Sequence, residues 1–152
     1  MRRKDRKITS KNDIESILNR ALVARVAVSE DNKPYVIPMN FGYQDDCLYL
    51  HSAQEGKKIE ILRENNNVCF EVDYGHELLV ADIPCNWVMK YYSVIGFGKA
   101  FFIDDLAEKR AALDIIMHKY AHESSFEYPL PNLKNTCVIK VKITAITGKE
   151  SR

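Results

Sequence analysis

Residues 34–58, PYVIPMNFGYQDDCLYLHSAQEGKK, constrain the fold more than any other stretch of the chain. Two runs rich in β-branched and aromatic residues, 35–43 and 47–53, flank the polar break Gln44-Asp45-Asp46, which is the pattern of a β-hairpin. The second run ends in Gln54-Glu55-Gly56, and Lys57-Lys58 then open an amphipathic helical pattern through Ile59, Ile61 and Leu62. The free N–H groups of a first helical turn and the positive end of its dipole both favour an anion. A lysine pair at a helix start opposes that dipole, and a bound phosphate removes the conflict.

The rest of the chain reads as one domain, residues 1–152, long enough to bury a core without disulfides or metal. A formal charge of +1 gives no electrostatic reason to expect nucleic acid as the main partner. No run is long and apolar enough to cross a membrane, and the basic start MRRKDRKITS leads into no apolar segment, so it is not a secretory signal. The cysteines at 47, 69, 85 and 137 form no CxxC pair, and three sit in strand-like runs, where a thiol behaves as a small hydrophobe. A reducing cytoplasm is the expected compartment.

Residues 1–8 read as a charged arm. Ser10 with Asp13 resembles a capping signal for a helix ending near Arg20, whose stripe is Ile14, Ile17 and Leu18. A strand over 21–29 stops at Glu30-Asp31-Asn32-Lys33. After the hairpin and short helix comes 68–73, with Val68, Phe70 and Val72 alternating against Cys69, Glu71 and Asp73. Residues 74–89 read as irregular, and 90–103 as the longest strand, with Gly96 and Gly98 on one face marking a bulge or close backbone approach. Asp105 and Glu108 open a second full helix with Leu106, Leu113, Ile116, Met117 and Tyr120 on one face. A proline-containing loop over 123–134 precedes a closing strand over 136–147. About six strands and three helices, dominated by antiparallel hairpins, predict a mainly β fold: a closed or half-closed β-barrel with peripheral helices.

Pro38 interrupts an otherwise good strand, so that strand is an edge or bulges there. Backbone groups around Pro38-Met39-Asn40 then face a ligand, or the bulge serves barrel curvature alone. His51 and Ser52 end the next strand: Ser52 can donate to a phosphate oxygen, and His51 can donate or stack. His118 and His122 have metal-ligand spacing but no third ligand in sequence, so no metal site is expected. Cys85 reads as an inert thiol. Tyr91, Tyr92, Phe97, Phe101 and Phe102 read as core and interface aromatics rather than a stacking platform.

The blocks VIPMNFGY (36–43), LYLHSAQEGKKIEIL (48–62), VCFEVD (68–73), CNWVMKYYSVIGFGKA (85–100) and ITGK (146–149) resemble, in order and spacing, the pyridoxamine-phosphate-oxidase-like FMN-binding split-barrel proteins, and among them the nitroimidazole-resistance (Nim-type) group. The resemblance implies a homodimer with two FMN sites at the subunit interface. Ile37, Pro38, Met39 and Asn40 would line the flavin ring, and His51, Ser52, Gly56, Lys57 and Lys58 would hold ribityl and phosphate groups. Tyr92, Ser93 and Val94, with Trp87 nearby, would come from the other subunit. Asn86, Val88 and Lys90 depart from the family pattern, which expects an acidic residue, a small polar residue and arginine there; these departures bear on substrate specificity. The implied activity is an FMN-dependent oxidoreductase passing electrons from NADH or NADPH, bound transiently, to a small planar acceptor such as a nitroaromatic or quinone-like compound. His51 is the one proton donor expected near the ring. The rival is a non-catalytic protein of the same fold that holds flavin (FMN or FAD) or haem for storage, sensing or transfer.

Overall fold

The computed structural model describes residues 3–121, 123 and 125–151. Among these, eight strands form a single antiparallel sheet: β1 (Lys7–Ile8), β2 (Ala24–Glu30), β3 (Lys33–Met39), β4 (Phe41–Gln44), β5 (Cys47–Ala53), β6 (Asn67–Leu79), β7 (Val88–Ile103) and β8 (Thr136–Ser151). The α-helices are α1 (Lys11–Arg20), α2 (Lys57–Glu64), α3 (Leu106–Tyr120) and α4 (Leu130–Asn135). The expected architecture of a β-barrel with peripheral helices holds.

Strand order is β3-β2-β6-β7-β8-β5-β4, with β1 added to β8. The two edge strands, β3 and β4, are consecutive in the chain and separated only by Asn40. The sheet therefore curls until its edges meet at one residue. Both two-residue turns that shape this region use positive φ at both positions, Asp31 and Asn32 (47° and 62°) and Asp45 and Asp46 (51° and 55°). That is type I′ geometry, whose twist matches the flanking strands and which Asp and Asn tolerate best after glycine.

Alternation decides the core. Val68, Phe70 and Val72 of β6 point inward and are almost fully buried with Val26 of β2, Leu48 and Leu50 of β5, and Val141 of β8. Gly96 on β7 faces Phe70: a Cβ there would lie 2.2 Å from the phenyl ring. At Gly98 the register between β7 and β8 shifts, and a Cβ would lie 2.4 Å from the Lys142 carbonyl oxygen. Both glycines thus mark close approaches, one of them at a bulge.

The helices are placed by caps and stripes. Ser10 Oγ accepts from the Asp13 amide at 3.3 Å, and Asp105 caps α3 by accepting from the Ala107 and Glu108 amides at 3.0 and 2.9 Å. Leu113 and Ile116 of α3 lie against Leu133 of α4 and Val138 of β8, forming a second small core outside the barrel.

Several elements differ from the sequence expectation. The run 35–43 is two strands, because the Phe41 amide donates to Tyr120 Oη of α3 at 2.9 Å instead of to a strand. Pro38 lies on edge strand β3, paired with Arg25 on one side only. Much of the stretch expected as irregular is strand: β6 runs to Leu79 and β7 starts at Val88, with a register shift between Tyr74 and Glu77 beside Gly75 at φ 72°. Part of the charged arm is structured, since Ile8 is buried and β1 pairs with the end of β8. The loop before β8 contains α4, whose prolines sit where a first turn tolerates them. The closing strand runs to Ser151 rather than 147.

Candidate functional site

The α2 N-terminus is built as the sequence suggested. Gly56 is its N-cap with φ 123°, a value that L side chains rarely adopt, and the space where a Cβ would stand is open. The Gly56 carbonyl takes the amides of Ile59 and Glu60 at 2.8 and 3.1 Å. The amides ahead of them have no intrahelical partner, as at any helix start.

Both lysines are without a carboxylate partner among the described residues. Their side chains diverge. Lys57 Nζ lies 5.1 Å from the centre of the Tyr35 ring on β3, which ties the helix start to the barrel's open edge. Lys58 lies on the other side, close enough to act on the His51 imidazole.

The position of His51 and Ser52 follows from β5 pairing with β8, His51 opposite Val138 and Ser52 opposite Cys137. Desolvation, and then the Lys58 cation, lower the His51 pKa below the ordinary histidine value. Replacing Lys58 with methionine removes the second cause, and the His51 titration followed by proton NMR is expected to move upward toward the ordinary histidine value; no movement would separate the two side chains. Ser52 Oγ donates to the Ala53 carbonyl at 2.7 Å, leaving its lone pairs as acceptors and requiring the hydroxyl to turn before it donates elsewhere.

Pro38 and Asn40 are exposed on or beside edge strand β3, whereas on its other face the Met39 side chain is buried in the core and Ile37 packs partly against it. Edge strand, His51, Ser52 and the helix start therefore form one continuous region of a single chain. The other predicted residues do not join it. Tyr92, Ser93 and Val94 pair with Glu150, Lys149 and Gly148 near the far end of β8 from Cys137. Cys137 and Gly148 are eleven residues apart along that strand, about 36 Å of path. Val94 is fully buried, so its side chain faces the core and not a ligand. Tyr92 stacks on Tyr74 at 5.2 Å, over a cavity of about 420 Å³ also lined by Ser10, Asp13 and Ser16 of the α1 start. Trp87 Nε1 donates to the Ala81 carbonyl at 2.7 Å, which leaves the ring half exposed at the tip of the β6–β7 arm.

Residues 10–150 match the family profile described as pyridoxamine 5'-phosphate oxidase. The chain belongs to the pyridoxamine 5'-phosphate oxidase family. None of the curated proteins matches this sequence. Among solved structures, a provisionally assigned 5-nitroimidazole antibiotic resistance protein from Bacteroides thetaiotaomicron VPI-5482 is 45% identical; the match covers 95% of this chain and 86% of that one at a TM-score of 0.86. A flavocytochrome from Azotobacter vinelandii superposes with a TM-score of 0.87 at 21% identity, over 100% of this chain and 72% of the other. An FAD- and heme-binding protein from Mycobacterium smegmatis gives 0.87 at 22% identity, over 97% and 74%. The last two establish shared fold alone. Within this pyridoxamine 5'-phosphate oxidase family member, Tyr35 joins the candidate site through its contact with Lys57; its place two residues from Ile37, on the same face of β3, was the available sequence signal.

No group of three metal-ligating side chains occurs among the described residues. His118 is exposed, and His122 lies outside the described residues. Cys85 is exposed on a short 3₁₀ turn, and Cys47 and Cys137 are buried. Phe97 and Phe101 point outward from β7, whereas Tyr92 is exposed on the face it shares with Val94, beyond the packed core. No described helix is long and apolar enough to cross a membrane.

Proposed function

We propose that the protein binds a flavin, FMN in the first instance, and works as an oxidoreductase in a reducing cytoplasm. The carrying observation is the α2 start, where two cations without carboxylate partners and the open space over Gly56 meet unpartnered backbone amides. Those groups fit a phosphate dianion, and the edge at Ile37, Pro38 and Asn40 offers backbone and amide groups to a planar ring. Bound there, the flavin supplies two-electron transfer from NADH or NADPH to a small planar acceptor, nitroaromatic or quinone-like.

The chain's own contribution is binding and orientation. Lys57 and Lys58 neutralise the phosphate and fix the ribityl end. His51 can donate a ring N–H beside that tail. Support for a homodimer comes from the separation of Trp87 and Tyr92 from the α2 start along β8, since a second copy could bring them to the site. The outward Ile95, Phe97 and Phe101 on β7 are an apolar surface that such a copy would cover. A carrier of flavin or haem is the second reading, favoured by the described flavocytochrome likeness only at the level of fold.

Anaerobic mixing of the flavin-loaded protein with NADH and, separately, NADPH tests the reading. Loss of the oxidised flavin absorbance with one donor is the expected result. A flavin that stays oxidised with both would leave a carrier, and a protein whose melting temperature does not rise with FMN would have no flavin site.

A further inference from the structure

A second cationic pocket lies where the end of α2, the start of α3, the end of β7 and the start of β8 converge, close enough to the α2 start for Lys58 to add its charge. Its cavity of about 180 Å³ is lined by Gln54, Arg63, Asp104, Lys109 and Cys137, among others. Lys109 is 6% exposed, an unusual state for a lysine, and Nζ uses one of its three donors on the Thr136 carbonyl at 2.9 Å. Arg63 has no hydrogen bond and no carboxylate partner among the described residues. Asp104 lines the same pocket but lies beyond ion-pair distance of both cations.

The charges around Cys137 at the floor of the pocket are Lys109, Arg63 and Lys58 against Asp104 alone. Cys137 is no counter-anion, because burial outweighs the cations and pushes its thiol pKa up. Gln54 is fixed by donating to the Lys134 carbonyl at 3.0 Å, which holds the rim in place. Positive charge in excess of the one nearby carboxylate, gathered at a small pocket, is stabilised by a bound anion. We propose that this pocket binds a compact, doubly charged oxyanion of phosphate size, held by Arg63 and Lys109 and separate from the site at the α2 start.

The test is the melting temperature of the flavin-saturated protein against inorganic phosphate, with chloride at matched ionic strength as control. Phosphate is expected to raise the melting point above chloride in the unaltered protein. Arg63→Gln, an exposed position whose loss leaves the fold intact, is expected to weaken the apparent phosphate affinity roughly ten- to a hundredfold. Lys57→Ala is expected to leave the phosphate effect in place. An equal response to phosphate and chloride would overturn the proposal, as would a phosphate effect kept in Arg63→Gln and lost in Lys57→Ala. Because the last two variants separate the pockets, failure here leaves the flavin site standing, and the reverse.

Discussion

The double variant Lys57→Ala/Lys58→Ala is expected to bind FMN weaker by two to four orders of magnitude. In the proposed site each lysine would form a charge-assisted contact with a dianion at a helix N-terminus, worth roughly 1.5–3 kcal/mol when lost, so the pair would contribute about 3–6 kcal/mol. The fold should survive: Lys57 is exposed and Lys58 only partly covered, and neither carries an ion pair among the described residues. Fluorescence titration of FMN into both proteins, with melting temperature as the control on folding, gives the result directly. Unchanged affinity in a folded double variant would remove the phosphate assignment. Raising the salt concentration should weaken the remaining binding less in the variant than in the original protein, because fewer exposed charges are left to screen.

The largest stability effect is expected at Gly96. An alanine Cβ would meet ring carbons of Phe70 at 2.2 and 2.4 Å, and Phe70 is fully buried between β2 and β7, so the ring has little room to yield. Overpacking of this kind costs about 3 kcal/mol, or roughly 6–12 °C in melting temperature for a domain of this size. Phe70→Leu, which shortens the side chain, should recover part of that loss. The double variant is then less destabilised than the two single changes added together, the signature of direct contact. A Gly96→Ala protein melting with the original would mean that the register between β6 and β7 is different.

How far the sequence carried can be seen in these same places. The Asp45-Asp46 turn, the Ser10 and Asp105 caps and the Val68, Phe70, Val72 alternation are local signals, each set by a few neighbouring residues, and each formed as read. The break at Asn40 was not legible, because the group that takes the Phe41 amide is Tyr120, far along the chain. Strand pairing beyond Tyr74 was hidden by the register shift at Gly75, which destroys simple alternation. The prolines of α4 read as loop because their tolerance in a first turn depends on where the helix begins.

The same division holds for the sites. The features proposed to bind phosphate at the α2 start are contiguous in sequence, so strand, glycine and lysines could be read together. The second pocket draws Gln54, Arg63, Asp104, Lys109 and Cys137 from separate elements, and Arg63 looks like any exposed helix residue. Lys109 alone left a trace: it occupies a position of the α3 stripe between Leu106 and Leu113, where an apolar residue is expected. Tyr92 and Val94 share one face of β7, but Val94 lies in the packed core while Tyr92 lies beyond it, stacked on Tyr74 beside the α1 start.

The account rests on where a nucleotide phosphate sits, and a crystal structure of the FMN-saturated protein measures that. The expected result is phosphate oxygens about 2.8 Å from Lys57 or Lys58 and from the first amides of α2, with the ring against residues 37–40. A phosphate bound at another part of the surface, with both ammonium groups left in water, would contradict it.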